Sequence, residues 1–347
     1  ISVTEAFETM WAPAGHEVTF EQIPLKTASN VLCMPMDCMP DLLLDAPDGA
    51  AVIYGEDFEI IFDERTGEMV SWEKSGVELL STAPHFNAWR APIDNDVHQK
   101  EKWAKLGLDK LQARLENFRA EQLNEKAVRV TVTQVHAAYV RRPVIRTEIT
   151  YTIYGSGDVR VNVQFMPLRQ LTWLPKLGVQ LAMPLKFDRV MWFGRGAHEN
   201  YPDMKMSAPV AQYSALVSEL HEPYVRPQEN GARQDTRVLA VTDILGNGLM
   251  FVSEKAYDDG FSFTCHDYSD QALDEAKHTN ELEQGEETVV SIDYRQCGVG
   301  SNICGPEPME QYKEYLTQGA EYTFVMKPYN RQLGEMMTFG RIVPEEI

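Results

Sequence analysis

Short runs in which apolar and polar residues alternate, broken by turn residues, recur along most of this chain. A period of two belongs to a half-buried strand, because successive side chains leave a strand on opposite sides. Ile145, Thr147, Ile149, Tyr151 and Ile153 line one side of such a run. Gly155-Ser156-Gly157-Asp158 then turns the chain, and Val159, Val161, Val163 and Phe165 line the return. Phe58, Ile60 and Phe62, a turn over 63–68, then Val70 and Trp72 make a second hairpin. Val238–Thr242 and residues 249–252, joined through Leu245-Gly246-Asn247-Gly248, make a third, and Val128, Val130 and Val132 mark one more strand. Many short strands separated by turn signals restrict the chain to an all-β sandwich or barrel.

Two stretches carry a helical period instead. Over 98–118, Trp103, Leu106, Leu111, Leu115 and Phe118 recur at spacings near 3.6, with Lys and Glu between them. Over 269–278, Ser269 is placed to cap a short helix through Leu273. Residues 26–48 have no period, and the prolines of Cys33-Met34-Pro35-Met36-Asp37-Cys38-Met39-Pro40 deny them a central strand, so they read as a linker. Before it, residues 3–11 and 17–23 read as two strands joined at Ala12-Pro13-Ala14-Gly15. Two strands do not hold together alone in water, so 1–25 reads as the end of a domain begun elsewhere. The main sandwich is assigned to 49–328, and 329–347 to a polar, loosely ordered tail.

At 44% hydrophobic and 24% charged residues, the composition is that of an ordinary globular protein. The formal net charge of -20 sets it against phosphate backbones and anionic membrane faces, which excludes nucleic acid and membrane as partners. Runs such as 42–44 are far too short to span a bilayer. The first residue is Ile1 rather than Met, which suggests a fragment or a processed subunit. The five cysteines, Cys33, Cys38, Cys265, Cys297 and Cys304, form no C-x-x-C pair. Local pairs Cys33/Cys38 or Cys297/Cys304 are one alternative; free thiols of a reduced, cytoplasmic chain are the simpler one.

Polar groups suited to sugars or to ordering loops concentrate in four inter-strand segments, at 89–96, 194–203, 226–235 and 298–306. Amides, carboxylates and guanidinium groups there could meet a ligand rich in hydroxyls. The simpler alternative, above all for the first three segments, is that they satisfy backbone N–H groups and pair with arginine. Gly194-x-Gly196 and Gly298-x-Gly300 are half fingerprints without a strand-then-helix context, so nucleotide binding is rejected. No H-x-x-x-H and no G-x-S-x-G occurs. Glycoside hydrolysis would need two carboxylates flanking the scissile bond, and spacing alone selects no pair among 52.

Taken together, these segments resemble one family. Trp89-Arg90-Ala91-Pro92-Ile93-Asp94-Asn95-Asp96 is similar to the W-R-A-P-x-D-N-D motif of family-two β-galactosidases. Gly194-Arg195-Gly196-Ala197-His198-Glu199-Asn200-Tyr201-Pro202-Asp203 resembles G-x-G-P-x-E-N-Y-P-D, with Ala197 where proline is usual. Tyr224-Val225-Arg226-Pro227-Gln228-Glu229-Asn230-Gly231 resembles Y-x-x-P-x-E-N-G, and 298–306 a G-V-G-S-N-x-C-G-P loop. Order and spacing agree, and 11–18 resembles the closing hairpin of the immunoglobulin-like domain that precedes this region in the family.

The resemblance implies the C-terminal part, or separate small subunit, of a retaining β-galactosidase, and a large twisted antiparallel sandwich akin to the galactose-mutarotase fold. It places the catalytic glutamates, a divalent metal (Mg) and a monovalent cation in a TIM barrel outside this chain, so no catalytic, metal or cofactor residue is expected here. That barrel would be the partner, a β-galactoside the substrate, and an oligomer the intact form. Ser301, Asn302 and Cys304 would face the sugar pocket. Arg90, Asp94, Asn95, Asp96, Glu199, Asn200, Glu229, Asn230 and Arg233 would hold the loops in place. Some members carry a tryptophan in the 298–306 loop; here Cys304 falls near that place, which leaves stacking on the second sugar without its residue. Two rival readings are a mutarotase-like epimerase using His198 or His266 with a glutamate, and a carbohydrate-binding or interaction module.

Overall fold

The alternating runs become strands whose apolar sides meet. The computed structural model describes residues 1–23, 25, 32–254, 260–300 and 307–347, in two units, Ile1–Asn30 and Val31–Ile347. In the first unit Ser2–Thr4 pairs antiparallel with Glu17–Phe20, a hairpin shorter than its sequence suggests. Phe7, Met10 and Trp11 are exposed in it.

In the second unit one antiparallel sheet of nine strands runs in the order Gln112–Asn124, Ala127–Ala137, Ile145–Tyr154, Val159–Pro167, Ala320–Asn330, Asn247–Ser253, Val238–Thr242, Arg189–Arg195 and Val210–Leu216. A five-stranded antiparallel sheet follows the order Arg233–Thr236, Phe261–His266, Glu287–Gln296, Lys176–Pro184 and Thr82–Asn87. Another is built from Leu43–Asp45, Ala50–Tyr54, Phe58–Asp63, Met69–Lys74 and Val77–Glu78. One apolar cluster joins all three. Across it Phe62 meets Tyr151 at 5.3 Å between ring centroids, and Phe86 meets Phe165 at 5.7 Å. Trp192 meets Phe263 at 5.7 Å. Each such buried side chain is worth about 1.5–3 kcal/mol of transfer free energy. The all-β sandwich expected from the period of two is therefore what forms.

The helical period of 98–118 holds for only part of its length. A helix covers Lys100–Leu106 and ends at Gly107, whose φ of 81° and N–H bonds to Trp103 and Ala104 carbonyls close it. The rest is the edge strand Gln112–Asn124. Leu115 and Phe118, three apart, would lie on opposite sides of a regular strand. A register shift between Leu115 and Asn117 absorbs one residue, and both pack against the core. A bulged strand had imitated a helix. The second helix, Asp270–Glu275, forms with the Ser269 hydroxyl accepting from Ala272 N–H at 3.1 Å. Its Leu273 is buried.

The expected linker and tail also differ. Leu32–Met34 pairs in parallel with Ile342–Pro344, and Leu43–Asp45 joins the Ala50–Tyr54 strand. Met34, Met36 and Met39 gather on Ala127 and Tyr154. Methionine needs no period to fill such a space. The tail returns because Met336 and Val343 are buried against Val238, Met250 and Val325. Cys33, Cys38, Cys265 and Cys297 are free thiols, so the Cys33/Cys38 pairing is not made.

Candidate functional site

The first polar segment begins inside the core. Arg90 is 1% exposed and Asp96 fully buried. Arg90 Nε and Nη2 donate to the two Asp96 carboxylate oxygens at 3.1 and 2.9 Å, a bidentate pair. The guanidinium also reaches the carbonyls of Cys297 at 3.4 Å and Gly298 at 3.3 Å, and lies 5.9 Å from the Trp103 ring. Burial works against its charge, but Asp96 more than restores it, and its pKa rises above that of free arginine. Asn95 Nδ2 donates to the Val299 carbonyl at 2.8 Å. From the second segment, Asp203 accepts from Val299 N–H at 3.0 Å and Gly300 N–H at 2.7 Å. A Cβ on Gly298 would stand 2.7 Å from the Asp203 carboxyl, so a side chain there would push that carboxylate aside. Guanidinium and amide thus hold carbonyls of 297–300, and the carboxylate holds its N–H groups.

The second and third segments bind each other in the same way. Glu199 accepts from Gly231 N–H at 2.8 Å and from the Tyr224 hydroxyl. Asn200 accepts from Gln234 N–H at 2.9 Å and donates to the His198 carbonyl at 3.0 Å. Asn230 accepts from Glu222 N–H at 2.9 Å and donates to the Gln228 carbonyl at 2.9 Å. Arg233 donates to the carbonyls of Leu220, Gly231 and Ala197, at 3.2, 2.6 and 3.0 Å. Glu229 N–H donates to the Ala91 carbonyl at 3.0 Å, which ties this group to the first. Four segments far apart in sequence therefore form one polar loop cluster, in which most of these bonds end on backbone atoms. Asp94 stands apart: it is exposed and enters through its own N–H, bonded to Gln228 at 3.2 Å.

Beneath the cluster lies an ionic group. Lys176 Nζ, fully buried, is 3.3 Å from Asp270 and 3.9 Å from Glu229. Burial opposes its charge, but Asp270, Glu229 and Asp293 raise its pKa above the ordinary lysine value. Burial lifts Glu229 to about 7 against the pull of Lys176, and Asp293 to about 6. Three carboxylates around one ammonium cannot all ionise without cost. Among the described residues no three His, Cys, Asp or Glu side chains are placed to hold a metal ion. This acidic group is already centred on an ammonium.

Ser301, Asn302 and Cys304, expected at the sugar pocket, lie outside the described residues. Of the epimerase candidates, His198 is exposed, 3.0 Å from the Ser207 hydroxyl. His266 is buried, with Nε2 2.9 Å from the Asn230 carbonyl, and burial lowers its pKa to about 4. Sequence reading gave no role to Asp203, although it closes the 194–203 segment. Lys176, Asp270 and Asp293 carry no local signal, since each is one polar residue in a strand or short helix.

A family model described as beta galactosidase small chain matches residues 54–326. A β-galactosidase of Vibrio cholerae is 36% identical over 326 residues, covering 90% of this chain and 30% of that protein. One from Priestia megaterium is 30% identical, covering 94% of this chain and 31% of that protein. The chain thus spans less than a third of the length of these curated relatives. Among solved structures, a galactose 1-epimerase from Lactobacillus acidophilus NCFM aligns over 84% of this chain and 99% of its own, at a TM-score of 0.44 and 6% identity. No helix among the described residues is long and apolar enough to cross a membrane. With the family model covering most of the chain, this chain belongs to the beta galactosidase small chain family.

Proposed function

We propose that this chain is the non-catalytic part of a retaining β-galactosidase that removes terminal β-D-galactosyl residues. A portion outside these residues would carry the acid/base and nucleophile carboxylates, a pair such chemistry needs close to the scissile bond. The divalent metal and monovalent cation are assigned there too. The observation that carries the reading is the hold of three side chains, Arg90, Asn95 and Asp203, on 297–300. Ser301, Asn302 and Cys304, next in sequence after this held backbone, are the residues we assign to the sugar, because a site needs a firmly held support. The relatives' names and their greater length support the same reading.

The chain is expected to be inactive alone on a chromogenic β-galactoside, and activity should appear when the catalytic portion is added. Robust turnover by the chain alone would overturn this. In the assembled enzyme, Asn302→Ala with Cys304→Ala should raise KM; an unchanged KM would reduce the chain to a docking module.

A further inference from the structure

A cavity of about 740 Å³ opens between the end of the Glu287–Gln296 strand and the start of the Ala320–Asn330 strand. That volume is in the range of small-molecule sites. Tyr322 and Ser262 line it, each more than nine-tenths buried, and neither hydroxyl has a hydrogen-bond partner. Asp293, opposite Ser262 in the sheet, is not in the lining but supports it. Its Oδ2 accepts from Gln296 at 2.7 Å, and Gln296 accepts from Gln234 at 3.1 Å. Both amides line the cavity. Buried polar atoms are normally satisfied, so the two unpartnered hydroxyls at this cavity ask for a ligand or ordered water.

The lining selects the chemistry. Asp235 pairs with Arg195 and Lys205, Glu254 with Arg160, Lys313 with Glu307 and Glu310, and Glu314 with Arg295. An anionic ligand would have to break pairs already made, and Glu321, the remaining carboxylate of the lining, is exposed and accepts from Asn162 at 2.8 Å. Tyr294 and Tyr312, both half-buried, offer aromatic surface, and Tyr294 lies 5.5 Å from the Tyr322 ring. Hydroxyl groups act as both donor and acceptor, which suits a phenol, a serine and amides together.

We propose that this cleft binds a neutral saccharide, with sugar hydroxyls meeting Tyr322 and Ser262 and a ring face on Tyr294 or Tyr312. The idea does not rest on the catalytic reading above. The test is ligand-observed NMR on the full chain, titrated with galactose, lactose and inorganic phosphate. Either sugar should bind saturably, with a dissociation constant on the order of millimolar, and phosphate should not. Tyr322→Phe keeps the ring and should weaken binding at least about fivefold, with the melting temperature unchanged. Tyr312→Ala, nearer the surface, should weaken it about tenfold. No saturable binding of either sugar would overturn the proposal and leave water as the occupant. So would binding that both variants leave intact, or phosphate binding as tightly as sugar. A chain that binds sugar here yet fails to support β-galactosidase activity would keep this inference and refute the other.

Discussion

The seam between the sheets and the loop cluster above them are both buried, yet they are held by opposite means. At the seam, Phe62, Phe165 and Trp192 pack by shape and apolar area, with few polar atoms to satisfy. In the cluster, Arg90, Asp96, Asn200 and Arg233 are equally hidden, but each must find partners for several polar atoms. Apolar packing tolerates a change of shape in proportion to the volume lost. A buried polar network tolerates much less, because losing one member strands the others. That intolerance gives geometric definition at 297–300, where the proposed function needs it.

The sharpest way to break this contrast is to remove one charge. Arg90→Ala would leave Asp96 buried and unpaired, at a cost of about 3–5 kcal/mol in chemical denaturation. Phe165→Ala should cost a similar amount, about 3–5 kcal/mol, through a cavity. The two differ in rescue. Arg90→Met with Asp96→Leu should recover most of the loss, since no charge is then stranded. If the double variant is as unstable as the single one, the bonds to the Cys297 and Gly298 carbonyls matter more than the pair.

The ionic group gives the next effect. Folded Glu229 keeps its proton up to about pH 7, whereas its ordinary value is 4.5. Between these the folded state holds a proton that the unfolded chain has released, so stability falls as pH rises. The loss amounts to at most about 3 kcal/mol by pH 7. Glu229→Gln should abolish the upper part of that slope. What remains should end near pH 6, where Asp293 titrates. A slope persisting to pH 7 in the variant would place the proton elsewhere. Asp203→Ala should cost about 1–3 kcal/mol and speed hydrogen exchange at the Val299 and Gly300 amides. Exchange unchanged at both would remove Asp203 from the grip. Smallest of all, Ser269→Ala should cost about 1 kcal/mol by thermal melting, through loss of the cap on the Asp270–Glu275 helix.

Legibility followed the same divide. Strands with one apolar side announce themselves residue by residue, and Ile145–Tyr154 with Val159–Pro167 forms where the period of two placed it. The Gln112–Asn124 strand was hidden by its bulge, which turns a spacing of two into three. The methionines at 34, 36 and 39 gave no period because they fill a corner rather than a face. In the site, the four polar segments stood out by residue type. Their contacts did not, because Asp203 and Val299 are 96 residues apart in the chain.

Sequence alone determined the all-β class, the main hairpins and the four polar segments, because period and turn chemistry are local and each segment lies within ten residues. Tertiary structure decided that those segments form one cluster, that Asp203 completes the grip on 297–300, and that Lys176 gathers three carboxylates beneath it. Those facts depend on which strand ends lie side by side. That is set by packing across the whole sandwich, and no local pattern in the chain encodes it.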